Sequence, residues 1–226
     1  MECLKEGFGL LKGQYWLFLG ICALGMIIGG AVPIVLLGPM MCGIFLCFLR
    51  RIRGEEVGLD RLFKGFDFFG QSVIAALLQM IPALVIIVPF YLVMFIWIVA
   101  AGASGKHGGQ AAGGVIVVMV LMYLVIILAS MLLGILFAFT FPLVVDRRLS
   151  GFDAVMTSVK AAFGNLGGLL GLMLLSGLMS IAGMCCCYVG VFLVLPITMA
   201  AMAVAYRRVF PEIPQTPASP PSLPGS

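Results

Sequence analysis

Charged residues are missing from four long stretches of the chain. Residues 15–49, 68–105, 107–145 and 161–206 contain no Asp, Glu, Lys or Arg. Each stretch is longer than the ~20 mostly apolar residues that a membrane-spanning helix needs. We therefore predict an all-α protein, a polytopic transmembrane helical bundle whose main partner is the lipid bilayer.

Two of these stretches are too long to cross the bilayer once. Residues 15–49 contain Gly29-Gly30, Pro33 and Pro39, where we expect a tight turn, and residues 161–206 are expected to break near 184–188. The alternative has five spans, with 15–49 as one tilted helix and the N-terminus outside. We predict about six spans within a helical domain over 1–210, near residues 14–31, 33–49, 69–100, 114–144, 165–184 and 188–206.

Basic residues cluster at the ends of the apolar stretches, three times as an arginine pair. With both termini in the cytoplasm, Lys106 is the one residue among the 13 Lys and Arg that falls outside, in agreement with the positive-inside tendency. This predicts a multi-pass protein of the bacterial cytoplasmic (inner) membrane. The net charge of +4 does not indicate nucleic-acid binding, because the cations sit where lipid headgroups would meet them. The predicted topology anchors are Arg50, Arg51, Arg53, Arg147, Arg148, Arg207 and Arg208.

Two short amphipathic segments follow the first two arginine pairs. Apolar residues recur in each at i, i+3, i+4 and i+7, which is typical of a helix with one apolar face. Ser150 and Asp153 have the spacing of a capping box that opens the second segment. We predict interfacial elbow helices at the headgroup boundary, with apolar faces made by Leu59, Leu62, Phe63 and Phe66, and by Phe152, Val155, Met156 and Val159.

The sequence offers little catalytic chemistry. Its acidic residues lie in loops or at span ends, and His107 is the single histidine, so we predict no catalytic residue, no metal site, no cofactor and no enzymatic activity. Cys185, Cys186 and Cys187 are either small packing residues at a turn or an external thiol site. Residues 211–226 are rich in proline and are predicted to be a disordered tail.

Small and polar residues inside the spans suggest packing sites and a pocket. Gly25 with Gly29, and Gly167 with Gly171, have the GxxxG spacing that lets helices approach closely. They serve either packing within the bundle or self-association. Polar residues also lie beside prolines that break spans, Gln79 near Pro82 and Thr140 near Pro142, as in transporters with a site on broken helices.

A family resemblance lies in residues 139–210, which begin FTFPLVVDRRLSGFDAVMTSVKAAFGNLGGLL and end YVGVFLVLPITMAAMAVAYRRVF. The stretch resembles the C-terminal half of a loose group of uncharacterised bacterial integral membrane proteins. It is also similar to the membrane domain that accompanies some glycerophosphodiester phosphodiesterases, although this chain supplies no carboxylate and histidine set like that of their catalytic domain. The resemblance implies a fold and no particular activity.

Two functional hypotheses follow from these patterns. The first is a non-enzymatic membrane scaffold or accessory component that associates with itself or with another membrane protein, and it predicts a filled bundle with an exposed face of small residues. The alternative is a channel or facilitator for a small neutral or lipidic substrate. It predicts a cavity lined by Gln79, Thr140, Ser130 or Thr198.

Overall fold

The computed structural model of the chain describes residues 2–103, 109–185 and 189–211, which form helices and connecting turns without a β-strand. Lys106, His107, Cys186, Cys187 and most of the predicted tail lie outside these residues. The helices are α1 (Glu2–Leu11), α2 (Tyr15–Ala31), α3 (Pro33–Ile52), α4 (Asp60–Phe63), a 3₁₀ helix (Lys64–Phe68), α5 (Phe69–Ala103), α6 (Gly109–Leu136), α7 (Thr140–Arg147), α8 (Gly151–Gly164), α9 (Leu166–Cys185) and α10 (Val189–Val209).

Five helical stretches are long and apolar enough to cross a membrane, and α1 with α2, a pair bent by 101°, makes a sixth if the two together form one span. The prediction of an all-α bundle with about six spans is therefore confirmed, and its apolar helices require a lipid environment. The five stretches are Val35–Ile52, Asp60–Ala100, Val117–Arg147, Leu166–Met184 and Gly190–Val209.

The charge-free residues 15–49 fold back on themselves at Val32. Pro33 is the first residue of α3. A proline is well tolerated there, because a backbone N–H in the first turn would have no partner within the helix. The two glycines predicted to pack lie at the contact between α2 and α3. A Cβ on Gly25 would come within 2.8 Å of the Ile44 side chain, and one on Gly29 within 3.4 Å of the Leu37 backbone. A single tilted helix over this region, the five-span alternative, is not what the structure contains.

One expected span is interrupted. We expected a continuous helix near 114–144, but α6 ends at Leu136 and α7 begins at Thr140. Pro142 explains the break, because its ring would clash with the carbonyl group of Ala138 in a continuous helix. The buried Ser158 hydroxyl satisfies the backbone there. It accepts from Phe139 N at 3.1 Å and donates to Leu136 O at 2.8 Å.

The packed core lies where the C-terminal halves of α3 and α10 meet the short helices. Phe18 and Phe48 stack with ring centroids 4.7 Å apart, and Phe139 packs against Tyr206 at 6.0 Å. Most large side chains in the outer parts of α5, α6 and α9 are exposed instead. Helices that are apolar on all sides and unburied are stable only in lipid or against another protein.

The two predicted elbow segments pack against spans through glycine. In the first, a Cβ on Gly65 would overlap Pro39 O and lie 2.6 Å from Gly43 N on α3. In the second, Ser150 caps α8 as predicted: its Oγ accepts from Asp153 N at 3.2 Å. Gly151 then lies close against the Gln71 backbone of α5.

The large apolar side chains of the elbow segments mostly point away from the bundle. The small residues Gly151, Ala154 and Ser158 make the inner face of α8 instead. Among the predicted elbow residues, Leu62 and Val155 are buried, Val159 is half-buried, and the exposed ones are Leu59, Phe63, Phe66, Phe152 and Met156.

Candidate functional site

A cavity of about 560 Å³ lies between α3, α5, the α6–α7 break, α9 and α10. We call it the Gln79 cavity. Its apolar wall consists of methionine and phenylalanine side chains with a few small residues, and its polar groups come from α5, α9 and α10. The lining residues are Met41, Phe45, Gln79, Ala83, Leu133, Gly134, Phe137, Ala138, Phe141, Met173, Ser176, Gly177, Ser180, Thr198, Met199 and Met202.

The polar groups of this cavity differ in what they can still bind. Ser180 Oγ donates to Ser176 O at 2.9 Å, and Thr198 Oγ1 donates to Leu195 O at 2.8 Å. Their hydrogens are therefore used within their own helices, while the oxygens can accept. Gln79 Nε2 is buried and has no hydrogen-bond partner among the described residues. Once the Gln79 side chain turns toward the cavity, a ligand with an acceptor oxygen would satisfy this amide.

Helix length places the cavity well inside an apolar layer. Gln79, Ser176 and Thr198 each lie about ten residues from one end of their helix, which is roughly 15 Å at the α-helical rise. The hydrocarbon core of a bilayer is about 30 Å thick. If α9 and α10 cross the membrane, the polar groups therefore lie near its middle.

None of the residues lining the cavity carries a charge. Proton-coupled transporters and pumps use ionisable groups inside the membrane, and general acid–base catalysis requires a titratable side chain. Flexible methionines adapt to ligands of different shape. The cavity is therefore suited to a neutral, largely apolar molecule with one or two hydrogen-bonding groups.

The expected pocket residues are only partly brought together. Gln79 and Thr198 line the cavity. Thr140 is fully buried outside its lining, and Ser130 is exposed on α6, where its Oγ donates to Ile127 O at 2.9 Å. Ser176 and Ser180 also line the cavity, although the sequence did not predict them as pocket residues. Counting about ten residues from the start of α5 and of α9 and from the end of α10 places Ser176 at the same depth as Gln79 and Thr198.

A second polar feature joins the C-terminal ends of α3, α7 and α10. Asp146 Oδ1 lies 2.6 Å from Arg53 Nη2 and 3.1 Å from Arg207 Nη2, and Oδ2 lies 3.3 Å from Arg207 Nη1. The Tyr206 hydroxyl donates to Oδ2 at 2.9 Å. We call these four residues the charged cluster. A bidentate arginine–carboxylate pair of this kind is both strong and directional.

The other predicted anchors have a variety of contacts. Arg51 Nε donates to Leu10 O at 3.2 Å, and Arg50 lies 3.5 Å from Glu55. The Arg147 guanidinium lies over the Phe210 ring at 5.0 Å, and Arg208 pairs with Glu2 and Glu6. From the sequence we expected these arginines to meet lipid headgroups. The structure places several of them between helices, because acidic residues distant in sequence lie beside them.

The second predicted glycine pair is not packed. A Cβ on Gly167 or Gly171 would meet no atom within 4 Å, and the same holds for Gly168 and Gly177 on α9. The first three of these line a groove of about 640 Å³ between α9 and the end of α10, with leucine side chains along it. This face of α9 is open to lipid or to another helix.

Together these features define a class: a polytopic α-helical membrane protein with an uncharged, open cavity between its helices and an ionic cluster that joins three helix ends. Comparisons of the chain with family models, with curated proteins and with solved structures find no match. The resemblance seen in residues 139–210 therefore stays a prediction.

Proposed function

We propose that the chain is a facilitator in a bacterial inner membrane that binds a small neutral, largely apolar molecule in the Gln79 cavity. The observation that carries this proposal is the buried Gln79 Nε2, which lacks a partner among the described residues. Leaving such a group unpaired costs about 1–3 kcal/mol. A ligand acceptor would remove this cost.

The helix break supports the same function. The residues around it, Phe137, Ala138 and Phe141, line the cavity. In membrane transporters, discontinuous helices commonly surround the substrate site. Since no charged residue lines the cavity, the proposed movement is not coupled to ions and follows the concentration gradient of the substrate.

The proposed topology has six spans, with both termini and the charged cluster on the cytoplasmic side. The positive-inside tendency supports it, because Lys106 is the one basic residue assigned to the outside. A single cysteine placed at position 106 of a Cys-free variant should react with an impermeant maleimide added to intact cells. Labelling only after the cells are opened would overturn this topology.

Binding can be tested with a long-chain alcohol that carries a photoreactive diazirine. In proteoliposomes, we expect its crosslinks on the cavity walls of α9 and α10. Gly134→Trp fills the cavity, since a Cβ there has only the end of Met173 nearby, at 3.7 Å, and it should abolish these crosslinks. Leu132→Trp, at an exposed position two residues earlier on the same helix, is the matched control.

Two further results bear on the proposal. Gln79→Leu should lower crosslinking about fivefold, because it removes one hydrogen bond to the ligand, worth about 1 kcal/mol. Transbilayer movement of a fluorescent diacylglycerol should be faster with the wild-type protein than with Gly134→Trp. Equal crosslinking of the Gly134→Trp and Leu132→Trp variants would show that the alcohol binds elsewhere.

A scaffold role is the second candidate, and the open glycine face of α9 favours it. Helix pairs in membranes associate through such small-residue faces. Gly171→Leu should then abolish a dimer detected by crosslinking in the native membrane, while Leu170→Val, a neighbouring conservative change on the same helix, should preserve it. If no crosslinked dimer forms in the wild-type protein, the glycine face serves lipid contact only.

A further inference from the structure

A second cavity, of about 470 Å³, lies beside the charged cluster and is lined mainly by charged side chains. We call it the basic cavity. It is bounded by the end of α3 and the loop after it, the 3₁₀ helix and the end of α7. Its lining residues are Leu46, Leu49, Arg50, Arg53, Glu55, Lys64, Asp67, Phe68, Val145, Asp146 and Arg148.

The charges around the basic cavity do not balance. Glu55 is paired with Arg50, and Asp146 is shared by Arg53 and by Arg207, which lies behind the wall. Asp67 is the remaining carboxylate. Four cations and three carboxylates line the cavity, so one positive charge is left over. The side chains of Lys64 and Arg148 have no ion pair or hydrogen bond within the described ranges of the chain.

The backbone at Arg148 is unusual. Its φ of 50° is the one positive value found at a residue other than glycine within the described residues. α3 ends in a similar conformation at Gly54, with φ 78°, where glycine adopts it without strain. An arginine in this conformation is strained, and strained residues concentrate at binding sites. Here the strained residue adds an unpaired guanidinium to the cavity wall.

We propose that the basic cavity binds a phosphate group carrying one or two negative charges, either from a lipid headgroup or from a phosphorylated small molecule. Such an anion offsets the excess positive charge of the cavity wall. Arginine binds phosphate oxygens in a bidentate manner, and lysine adds a mobile positive charge. The cations stand at the ends of apolar spans, where lipid phosphates lie. Leu46, Leu49 and Phe68 give the wall an apolar part for the group that the phosphate carries.

The proposal can be tested on the full-length protein in neutral detergent micelles, with thermal unfolding as the readout. Phosphatidylglycerol, phosphatidylcholine, glycerol 3-phosphate and inorganic phosphate are titrated separately. We expect phosphatidylglycerol to raise the melting temperature in a saturable manner. A similar saturable rise with either soluble phosphate would identify a site for a free phosphate group, and a rise with phosphatidylglycerol alone would identify a headgroup site.

Three variants separate specific binding from general attraction of anions. Lys64→Gln and Arg148→Gly should each weaken binding about tenfold, as expected for one charge-assisted contact. Lys160→Gln removes an exposed cation of α8 outside this cavity and should change binding less than twofold. Arg148→Gly should also leave the unliganded protein at least as stable, since glycine suits this backbone. Equal effects of all three variants, or no saturable shift with any of the four compounds, would overturn the proposal.

Discussion

Asp146 is the residue whose removal should most disturb the packing of the bundle. Its side chain is 9% exposed and that of Arg207 is 11% exposed, whereas Arg53 is 41% exposed. The variant Asp146→Ala removes the carboxylate shared by α3, α7 and α10. We expect it to destabilise the protein more than the loss of any other ion pair described above.

The magnitude follows from the burial of each partner. Breaking a buried pair by removing one member typically costs about 3–5 kcal/mol, because the other charge stays desolvated. This applies to Arg207. The Tyr206 hydroxyl loses its acceptor, which adds about 1 kcal/mol, and the exposed Arg53 contributes little. We expect a total loss of about 4–6 kcal/mol for Asp146→Ala.

Reversible unfolding by SDS in mixed micelles, followed by circular dichroism, measures this loss. Arg208→Ala is the matched control, since Arg208 is 44% exposed and pairs with the exposed Glu2 and Glu6, and it should change the stability little. The double variant Asp146→Leu with Arg207→Leu should recover much of the stability, because no buried charge remains. Equal losses for Asp146→Ala and Arg208→Ala would refute the reasoning.

Three further substitutions test local packing by the same unfolding measurement. Gly65→Ala should cost at least about 2 kcal/mol because its Cβ would overlap backbone atoms of α3, whereas Gly70→Ala, with open space around it, should be neutral. Ser158→Ala should cost about 2 kcal/mol by leaving two backbone groups of the α6–α7 break unpaired, and the exposed Ser130→Ala almost nothing. Ser150→Ala should cost about 1 kcal/mol by removing the cap of α8, and Ser150→Asn should restore most of it.

The helices could be located from the sequence because charge determines where a chain leaves the apolar layer. Arginine pairs stand at the C-terminal ends of α3, α7 and α10, and the turn at Val32 follows a glycine pair and precedes Pro33. The break before α7 was harder to foresee. A proline such as Pro142 interrupts a membrane helix only where the freed backbone groups find partners. Here the partner is Ser158, which lies in the second elbow segment, and nothing in the sequence indicates that this segment packs against the break.

The functional features depended on contacts that no local pattern reveals. Asp146 lies 93 positions from Arg53 and 61 from Arg207, so nothing near it in sequence indicates its partners. The faces of the elbow helices were hard to assign for another reason. In water the large apolar side chains of an amphipathic helix turn inward, whereas in a bilayer they can face lipid and leave the small residues to pack. Phe152 and Ala154 of α8 show this arrangement.

The charged cluster and the Gln79 cavity both include residues of α3, α7 and α10. The stability of the helix bundle and ligand binding in the cavity should therefore depend on each other. Phe141 of α7 and Met202 of α10 line the cavity about five residues from Asp146 and Arg207, or roughly 7.5 Å along each helix. Because close-packed helices transmit displacements, separating the helix ends should shift both cavity walls. Asp146→Ala should therefore reduce crosslinking of the photoreactive alcohol severalfold under conditions in which the protein is still folded. Arg208→Ala should leave crosslinking unchanged, and unchanged crosslinking in Asp146→Ala as well would show that the cavity keeps its shape without the cluster.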